Sequence, residues 1–578
     1  MERVIKVVLS ASVISLLIVN YLKPIAAYSQ DLGRHLLTGQ IILKTFSVPE
    51  QNIFSYTFPS FPFINHHFLS EVIFYGVYSL FGNNGLQILT LLLITAAFGM
   101  VFFYSARRYS YFLAAIISFL YLGILFERTD IRPELFSYLL LSIFVVILFR
   151  NREKFTKLIY LLPLLSLIWV NAHIYFFVGI VLVGLFVIDA FFQRKEVFKQ
   201  LSIVLVLCCI AIVMNPNFID GASYPLRVFG NYGYTIEENQ TVFLLESLGF
   251  QKSSVGFLKI ATFFLFLSLL LNFRKTRVID WLLAITFTYA AFIAVRNLPL
   301  FVFVTFIPFA KNIHELSINT VKDISKNYPI IPHIIAICVV LLLSLQVVHT
   351  INNKEVGFGV APGAERGVDF LTIQNIKGPI FNNFDVGSYL LYRLYPKEKV
   401  FIDGRPEAYP AEFITNTYIP MQESMELFKK IDAKYNFQTI FYSHTDMTPW
   451  GQKFLSEIVK NKEWKIIYLD DSSIILAKIN GVNKNVVNKF GMELSDLKES
   501  SMTKSDMQSL LKMANFYQLT GVVDSQIVVY KKILTLEPSN CPALYNLAVI
   551  LTQKNDSAAQ FFAQRYSTSC QQSVLGQN

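Results

Sequence analysis

Charged residues are scarce in this 578-residue chain: Asp, Glu, Lys and Arg together make up 16%. With 54% hydrophobic residues and a mean hydropathy of +0.47, that scarcity excludes an ordinary soluble protein. Although the net charge is +10, no Lys/Arg-rich tract carries interleaved aromatics, so there is no stripe for a nucleic-acid backbone. Cysteines number only five, and Cys208, Cys209 and Cys338 fall inside apolar runs, where they read as inert packing. No His/Cys spacing fits a known zinc motif.

What the chain has in quantity is apolar length, including 53 Phe. An apolar stretch of about 20 residues spans the hydrocarbon core as one helix, since no other single segment satisfies its own backbone there. Candidate spans are Ile5–Tyr21, Leu86–Tyr104, Tyr111–Phe126, Leu135–Phe149, Leu158–Val170, Tyr175–Phe192, Leu201–Met214, Gly256–Leu271, Trp281–Val295, Leu298–Phe309 and Pro329–Val348. The sequence thus predicts an α-helical polytopic membrane protein of about eleven spans. MERVIK with the apolar run behind it resembles a signal peptide, but a dense polar cluster and many more spans follow, so it reads as an uncleaved first helix.

Orientation follows from the positive charges. With a cytoplasmic N-terminus, the inner connections carry Arg107/Arg108, Arg150/Arg152, Arg274/Lys275/Arg277 and similar clusters, about twice the outer count. An odd number of spans then places the first loop, 22–85, and everything past residue 350 outside. In that loop YSQDLGRHLL and INHHFLSE crowd Asp31, Arg34, His35, Asn65, His66, His67 and Glu71 together. The other polar clusters, ERTDIRPE at 127–134, WVNAH at 169–173 and Arg296-Asn297, fall on the same face. Charge near membrane depth is costly and usually lines a cavity, so this convergence marks a site.

Beyond residue 350 the composition becomes that of a soluble domain. GPIFNN, KVFIDGR, QTIFYS and WKIIYL read as strands, with helices at Gly387–Tyr395, Pro410–Lys434 and Trp450–Lys460. The expected division is a transmembrane catalytic domain over 1–350, an extracytoplasmic α/β domain over 351–480, a polar linker over 481–504 and a helical tail over 505–578. Cys541 and Cys570 bracket the last helical hairpin of that tail, where an oxidising exterior would let them form a disulfide. His66 and His67 with Asp31 or Glu71 would suit a divalent ion. Adjacent histidines in a loop should point apart, however, so hydrogen bonds to substrate or loop backbone are the better reading. No cofactor is fixed by the pattern, and a divalent metal stays open.

DLGRHLLTGQIIL, NIFSYTFP, INHHFLSEVIFY, IRPELFSYLL, IWVNAH, MNPN and RNLPLF together resemble the GT-C superfamily of polyprenyl-phosphate-sugar-dependent glycosyltransferases. The ectodomain stretch VGSYLLYRLYPKEKVFIDGRPEAY is similar to a bacterial branch whose α/β ectodomain carries tetratricopeptide repeats. LLKMANFYQLTG, VVYKKILTLEPSN and ALYNLAVILTQKN in the tail cover roughly one and a half to two such repeats, fewer than a free-standing solenoid needs. The resemblance implies a multi-pass inner-membrane enzyme, a hexosyl- or pentosyltransferase acting by inversion. Its donor would be a lipid-linked sugar, its acceptor a glycan, lipid or protein, and its tail a surface for a protein partner.

In that chemistry one carboxylate takes the acceptor's proton and cations neutralise the departing lipid phosphate. The resemblance assigns Asp31 as base, with N-capping of the following helix as its competing role. It assigns Arg34, Arg128, Arg132 and Arg296 to the phosphate, helped by His35 and His173. His66, His67, Glu71 and Asn171 are expected at substrate or in holding the loop, Asn171 equally as a partner for freed backbone groups. Two departures stand out. Several branches carry a second acid beside the catalytic one, where this chain has Leu32, and the oligosaccharyltransferase signature WWD-Y-G is absent. Glu127 and Asp130 could supply that acid or pair with Arg128 and Arg132. Asp403, Arg405 and Glu407 in FIDGRPE read as turn chemistry. A polysaccharide polymerase or ligase, and a non-enzymatic envelope scaffold, are the alternatives.

Overall fold

A computed structural model describes residues 2–26, 31–193, 195–227, 230, 232–327, 330–494 and 506–571. The expected spans fall largely on helices, Pro329 lying outside the described residues. These are α1 (Glu2–Tyr21), α3 (Phe68–Arg108), α4 (Tyr111–Leu125), α5 (Glu134–Glu153), α6 (Leu162–Ala172), α7 (Phe176–Gln193), α8 (Lys195–Ala211), α11 (Ser253–Leu271), α12 (Val278–Ile293), α13 (Leu298–Asn327) and α14 (Ile331–Asn353). The remaining helices of this half are α2 (Leu32–Thr45) and the short α9 (Phe218–Ser223) and α10 (Val242–Ser247). Among the described residues six helices, α1, α3, α5, α7, α11 and α14, are long and apolar enough to cross a membrane, and α4, α6, α8 and α12 are shorter apolar helices.

The bundle core is aromatic. Tyr121 stacks between Phe301 and Phe309 with centroids 5.6 and 6.0 Å away, and its hydroxyl meets Thr305 Oγ1 at 2.8 Å. At one end of the bundle buried charges are closed in pairs, Lys311 with Asp280 at 2.7 Å and Arg152 with Asp189 at 2.6 Å. The opposite end carries the Asp31 loop. There α3 breaks at Gly82, whose φ of 61° lies in the left-handed region that glycine tolerates. The break frees the limb before it to lie across α2. The two backbones meet at Gly39, where a Cβ would stand 2.1 Å from the Glu71 carbonyl oxygen.

Past α14 and α15 (Glu365–Ile373) the chain builds a mixed four-stranded sheet, with α16 (Phe384–Leu394) following its first strand. Its strands are β1 (Ile380–Asn382), β2 (Thr439–Ser443), β3 (Trp464–Leu469) and β4 (Ser473–Lys478), in the order β1-β2-β4-β3, with only β1 and β2 parallel. Two readings of the sequence are corrected here. KVFIDGR is not a strand of this sheet: Val400 accepts from Tyr56 N and donates to the Phe54 carbonyl, both at 3.2 Å, so its partner is the first loop. The strand that takes its place is SIILAK. The second correction concerns 481–504, whose described part is not a loose linker. Lys484–Phe490 is helical, and Met492 donates to Ile466 of β3 at 2.8 Å. Residues 495–505 of that stretch lie outside the described residues.

The tail forms helices Met507–Thr520, Val523–Leu536, Cys541–Gln553 and Ala559–Tyr566, and Cys541 is joined to Cys570 by a disulfide. The tail packs on the α/β domain, with Phe516 against His444 at 5.0 Å and a shared core through Tyr517, Met513 and Phe454. The α/β domain in turn sits on the loop end of the bundle. Tyr392 of α16 meets α2 so closely that a Cβ on Gly33 would lie 2.9 Å from it.

Candidate active site

The site is built where α2 starts. Asp31 occupies the N-cap position, but its side chain makes no capping bond. It turns instead to Arg34, whose Nη2 lies 3.3 Å from Asp31 Oδ1. Burial opposes ionisation of Asp31, yet Arg34, with Arg132 and His35 beyond it, outweighs burial and holds the carboxyl below its usual range. The Asp31 side chain is 27% exposed, that of Arg34 only 8%. An ionised, partly open carboxylate thus stands against a nearly closed cation.

Glu71, one turn into α3, organises the ground beneath this pair and is 1% exposed. One of its oxygens meets His35 Nδ1 at 2.9 Å and the other accepts from Asn65 Nδ2 at 2.6 Å, with Arg34 at 3.7 Å. A His35 that gives its Nδ1 proton to Glu71 leaves Nε2 as acceptor for Arg34 Nη2 at 3.4 Å. Glu71 is therefore occupied in holding the loop.

Four histidines meet beside it, an arrangement that the sequence concealed. His66 and His67 do not point apart: their ring centroids are 3.9 Å from each other. His67 also stacks on His173 at 5.2 Å and meets His35 at 5.4 Å, while Tyr224 lies 4.9 Å from His66. His173 Nδ1 faces the Tyr175 N–H at 3.4 Å and so is the acceptor for Ser137 Oγ at 2.8 Å, while that oxygen accepts from Trp169 Nε1 at 2.7 Å. Burial lowers the pKa of all four, His66 to about 4, so the cluster is neutral near pH 7. Among the described residues no group of three or more His, Cys, Asp or Glu side chains is arranged to hold a metal ion.

The other expected cations divide. Arg128 is engaged by two carboxylates: Nε and Nη2 donate to the two oxygens of Glu134, both at 2.9 Å, and Nη1 meets Glu238. Arg132 shares Glu238 at 3.0 Å. Their acidic partners are thus Glu134 and Glu238, while Glu127 and Asp130 go to Lys252 and Lys23, each at 2.9 Å. The fork-to-fork pair with Glu134 fixes the orientation of the Arg128 guanidinium. Arg296 donates to Asn239 Oδ1 at 2.8 Å and lies over the Tyr175 ring. Asn171 donates to the Leu167 and Met214 carbonyls at 2.8 and 3.1 Å.

The α/β domain adds a carboxylate that the sequence reading gave to turn chemistry. Asp403 and Arg405 are indeed structural: Nε and Nη2 of Arg405 hold both Asp403 oxygens at 2.7 and 2.8 Å. Nη2 also donates to Asn52 Oδ1 at 2.7 Å, and the guanidinium covers Phe63. Two residues on, Glu407 lies in a short 3₁₀ turn, Pro406–Ala408, and comes within electrostatic reach of Asp31 and Arg34. Burial raises its carboxyl against the opposing pull of its own backbone N–H, Arg34 and Arg405.

No family model matches the sequence, and no curated protein matches it. Among solved structures, the chain is similar to the oligosaccharyltransferase AglB of Archaeoglobus fulgidus in complex with an inhibitory peptide and a dolichol-phosphate. The likeness has a TM-score of 0.57 and 11% identity over 92% of this chain and 86% of that one. The Archaeoglobus fulgidus oligosaccharyltransferase tethered with an acceptor peptide matches with a TM-score of 0.54 and 10% identity, over 82% and 74% of the two chains. ArnT of Cupriavidus metallidurans bound to undecaprenyl phosphate gives a weaker match, TM-score 0.46 and 12% identity over 82% and 97%. The chain therefore shares the fold of the Archaeoglobus fulgidus oligosaccharyltransferase AglB, and its candidate site lies at the loop end of the helical bundle.

Proposed function

We propose that the chain is an inverting glycosyltransferase that moves a sugar from a polyprenyl-phosphate carrier to a hydroxyl group of an extracytoplasmic acceptor. The observation that carries this reading is the Asp31–Arg34 pair, an ionised and partly open carboxylate beside a cation at the loop end of a GT-C fold. Asp31 takes the acceptor proton as the hydroxyl oxygen attacks the anomeric carbon. The bond from that carbon to the phosphate oxygen breaks, and the lipid phosphate leaves with the electron pair. Arg34, with Arg132 and Arg296 further out, balances the charge that grows on the phosphate. The neutral histidines can donate hydrogen bonds without competing with Arg34 for the anion. AglB, whose solved complex holds a dolichol-phosphate, supports an isoprenoid phosphate as the carrier.

The reading places the enzyme in the bacterial inner membrane with a cytoplasmic N-terminus and about eleven spans. The α/β domain and the tetratricopeptide-like tail then lie outside, the tail available to a protein partner. Profiling of envelope glycans and lipid-linked sugars tests the proposal in cells carrying wild type, a deletion or Asp31→Asn. The expected result is loss of one glycosylated product in both mutants, with its lipid-phosphate sugar accumulating. A point mutant that makes the product as wild type does would remove Asp31 from the base role.

A further inference from the structure

Resting on the transferase reading, the question is which group meets the acceptor, since Arg34 and its neighbouring cations suit the anionic donor. The 3₁₀ turn at Pro406–Ala408 is fixed from three sides. Asn52 of the first loop donates to the Ala408 carbonyl at 3.0 Å and accepts from Arg405 at 2.7 Å. The Arg405 guanidinium is seated on Phe54 and Phe63, 5.1 and 4.7 Å from their ring centres. The loop between α8 and α11 closes on the following residues, where a Cβ on Gly233 would stand 2.7 Å from the Ala411 carbonyl oxygen. From the same loop Tyr224 faces both Glu407 and His66. Glu407 is thus held on a rigid turn within electrostatic reach of Arg34 and Asp31.

Its chemistry there is unspent. Arg405, two residues away, is committed to Asp403, Asn52 and two rings, and Arg34 to Asp31 and Glu71. Both act on Glu407 only through space, and its hydrogen bond is to its own backbone N–H. A carboxylate beside the lipid phosphate would repel it, whereas beside a neutral polyol it accepts a hydrogen bond from a hydroxyl. We propose that Glu407 is the second carboxylate of the site, supplied by the α/β domain, and that it binds a hydroxyl of the acceptor and orients it toward Asp31. The Leu32 departure is then answered from another domain, and the acceptor enters between the α/β domain and the bundle. A carboxyl raised by burial, as this one is, can take up that hydrogen bond at little cost in desolvation.

The test uses the full-length protein in lipid nanodiscs, with the lipid-linked sugar fraction and the envelope acceptor fraction extracted from the deletion strain. Product is followed by mass spectrometry while each fraction is titrated separately, and undecaprenyl phosphate is titrated as a donor-side probe. In Glu407→Gln the amount of acceptor fraction giving half-maximal rate should rise about tenfold or more, the loss expected for a hydrogen bond to a charged group. Donor dependence and undecaprenyl phosphate binding should stay at wild-type values. A shift in donor dependence alone would mean that Glu407 acts through Arg34, and an unchanged acceptor titration would equally overturn the proposal. Should Glu407→Gln fail to accumulate, Glu407→Asp, which keeps the charge and shortens its reach, carries the same titration. Wild type that transfers nothing defeats the transferase reading itself, and the assignment of Glu407 with it.

Discussion

Arg405→Met would cut the clamp between the α/β domain and the first loop. The guanidinium holds both oxygens of Asp403 and the side chain of Asn52 and lies over Phe54 and Phe63, all within a region where Asp403 is fully buried and Arg405 is 2% exposed. Methionine fills much of the volume but leaves Asp403 with only the Tyr409 hydroxyl and the residue-405 backbone N–H as donors. Orphaning a buried charge costs about 3–5 kcal/mol, and the two ring contacts add about 1 kcal/mol each. Removing both charges together, Asp403→Leu with Arg405→Met, takes away the orphaned anion and should recover most of the loss. Thermal unfolding in detergent would read the total. Hydrogen exchange at the Val400 and Tyr56 amides, which bond across the seam, would read its location. At about 1.4 kcal/mol per tenfold, their exchange should accelerate by two orders of magnitude or more. A single variant within about 0.5 kcal/mol of wild type, or a double variant no better than the single, would refute this account of the seam.

Three further outcomes follow from the same geometry. Glu71→Ala strands Arg34, His35 and Asn65 together and should destabilise the loop by about 3 kcal/mol, read as faster exchange over residues 65–71. The neutral histidines make stability depend on acidity. Their folded pKa values lie below the unfolded value near 6.5, so the unfolded chain binds more protons as pH falls from 6.5 toward the folded value of about 4 for His66, and stability drops across that window. His66 alone contributes on the order of 3 kcal/mol to this drop, and His66→Gln should flatten the pH dependence of the unfolding midpoint. Cys541→Ser opens a disulfide whose cysteines are 29 residues apart and should cost about 3 kcal/mol, measured as a lower unfolding midpoint of the tail, while two new free thiols should appear on reducing the wild type.

The parts of this fold that a bilayer dictates were legible in the sequence, because an apolar run has one way to satisfy its backbone in lipid. Asp31 and Arg34 were legible too, three residues apart on one helical turn. What escaped the sequence depends on partners far along the chain. Val400-Phe401-Ile402 has the composition of a central strand, yet its hydrogen bonds go to residues 54–56, almost 350 positions earlier in the chain, and that pairing leaves no local mark. SIILAK, the strand that occupies the sheet, follows the turn cluster Asp470-Asp471-Ser472 and pairs antiparallel with WKIIYL, a hairpin whose signal the sequence does carry. The pairing of Arg128 with Glu134 and Glu238, the second of them 110 positions away, is likewise invisible in the sequence. Glu407 is the clearest case: in FIDGRPE it belongs to a turn, and contacts with Asn52, some 350 positions earlier, help hold that turn within electrostatic reach of Asp31.

The central claim is that this chain transfers a lipid-linked sugar with Asp31 as base. It is tested most directly by single-turnover transfer from the extracted lipid-linked sugar fraction in purified wild type and Asp31→Asn, each first shown to bind undecaprenyl phosphate. The account predicts a 10²–10⁴-fold slower transfer in Asp31→Asn, the usual size of a lost general base, with lipid-phosphate binding retained. Equal transfer by the two proteins would contradict it.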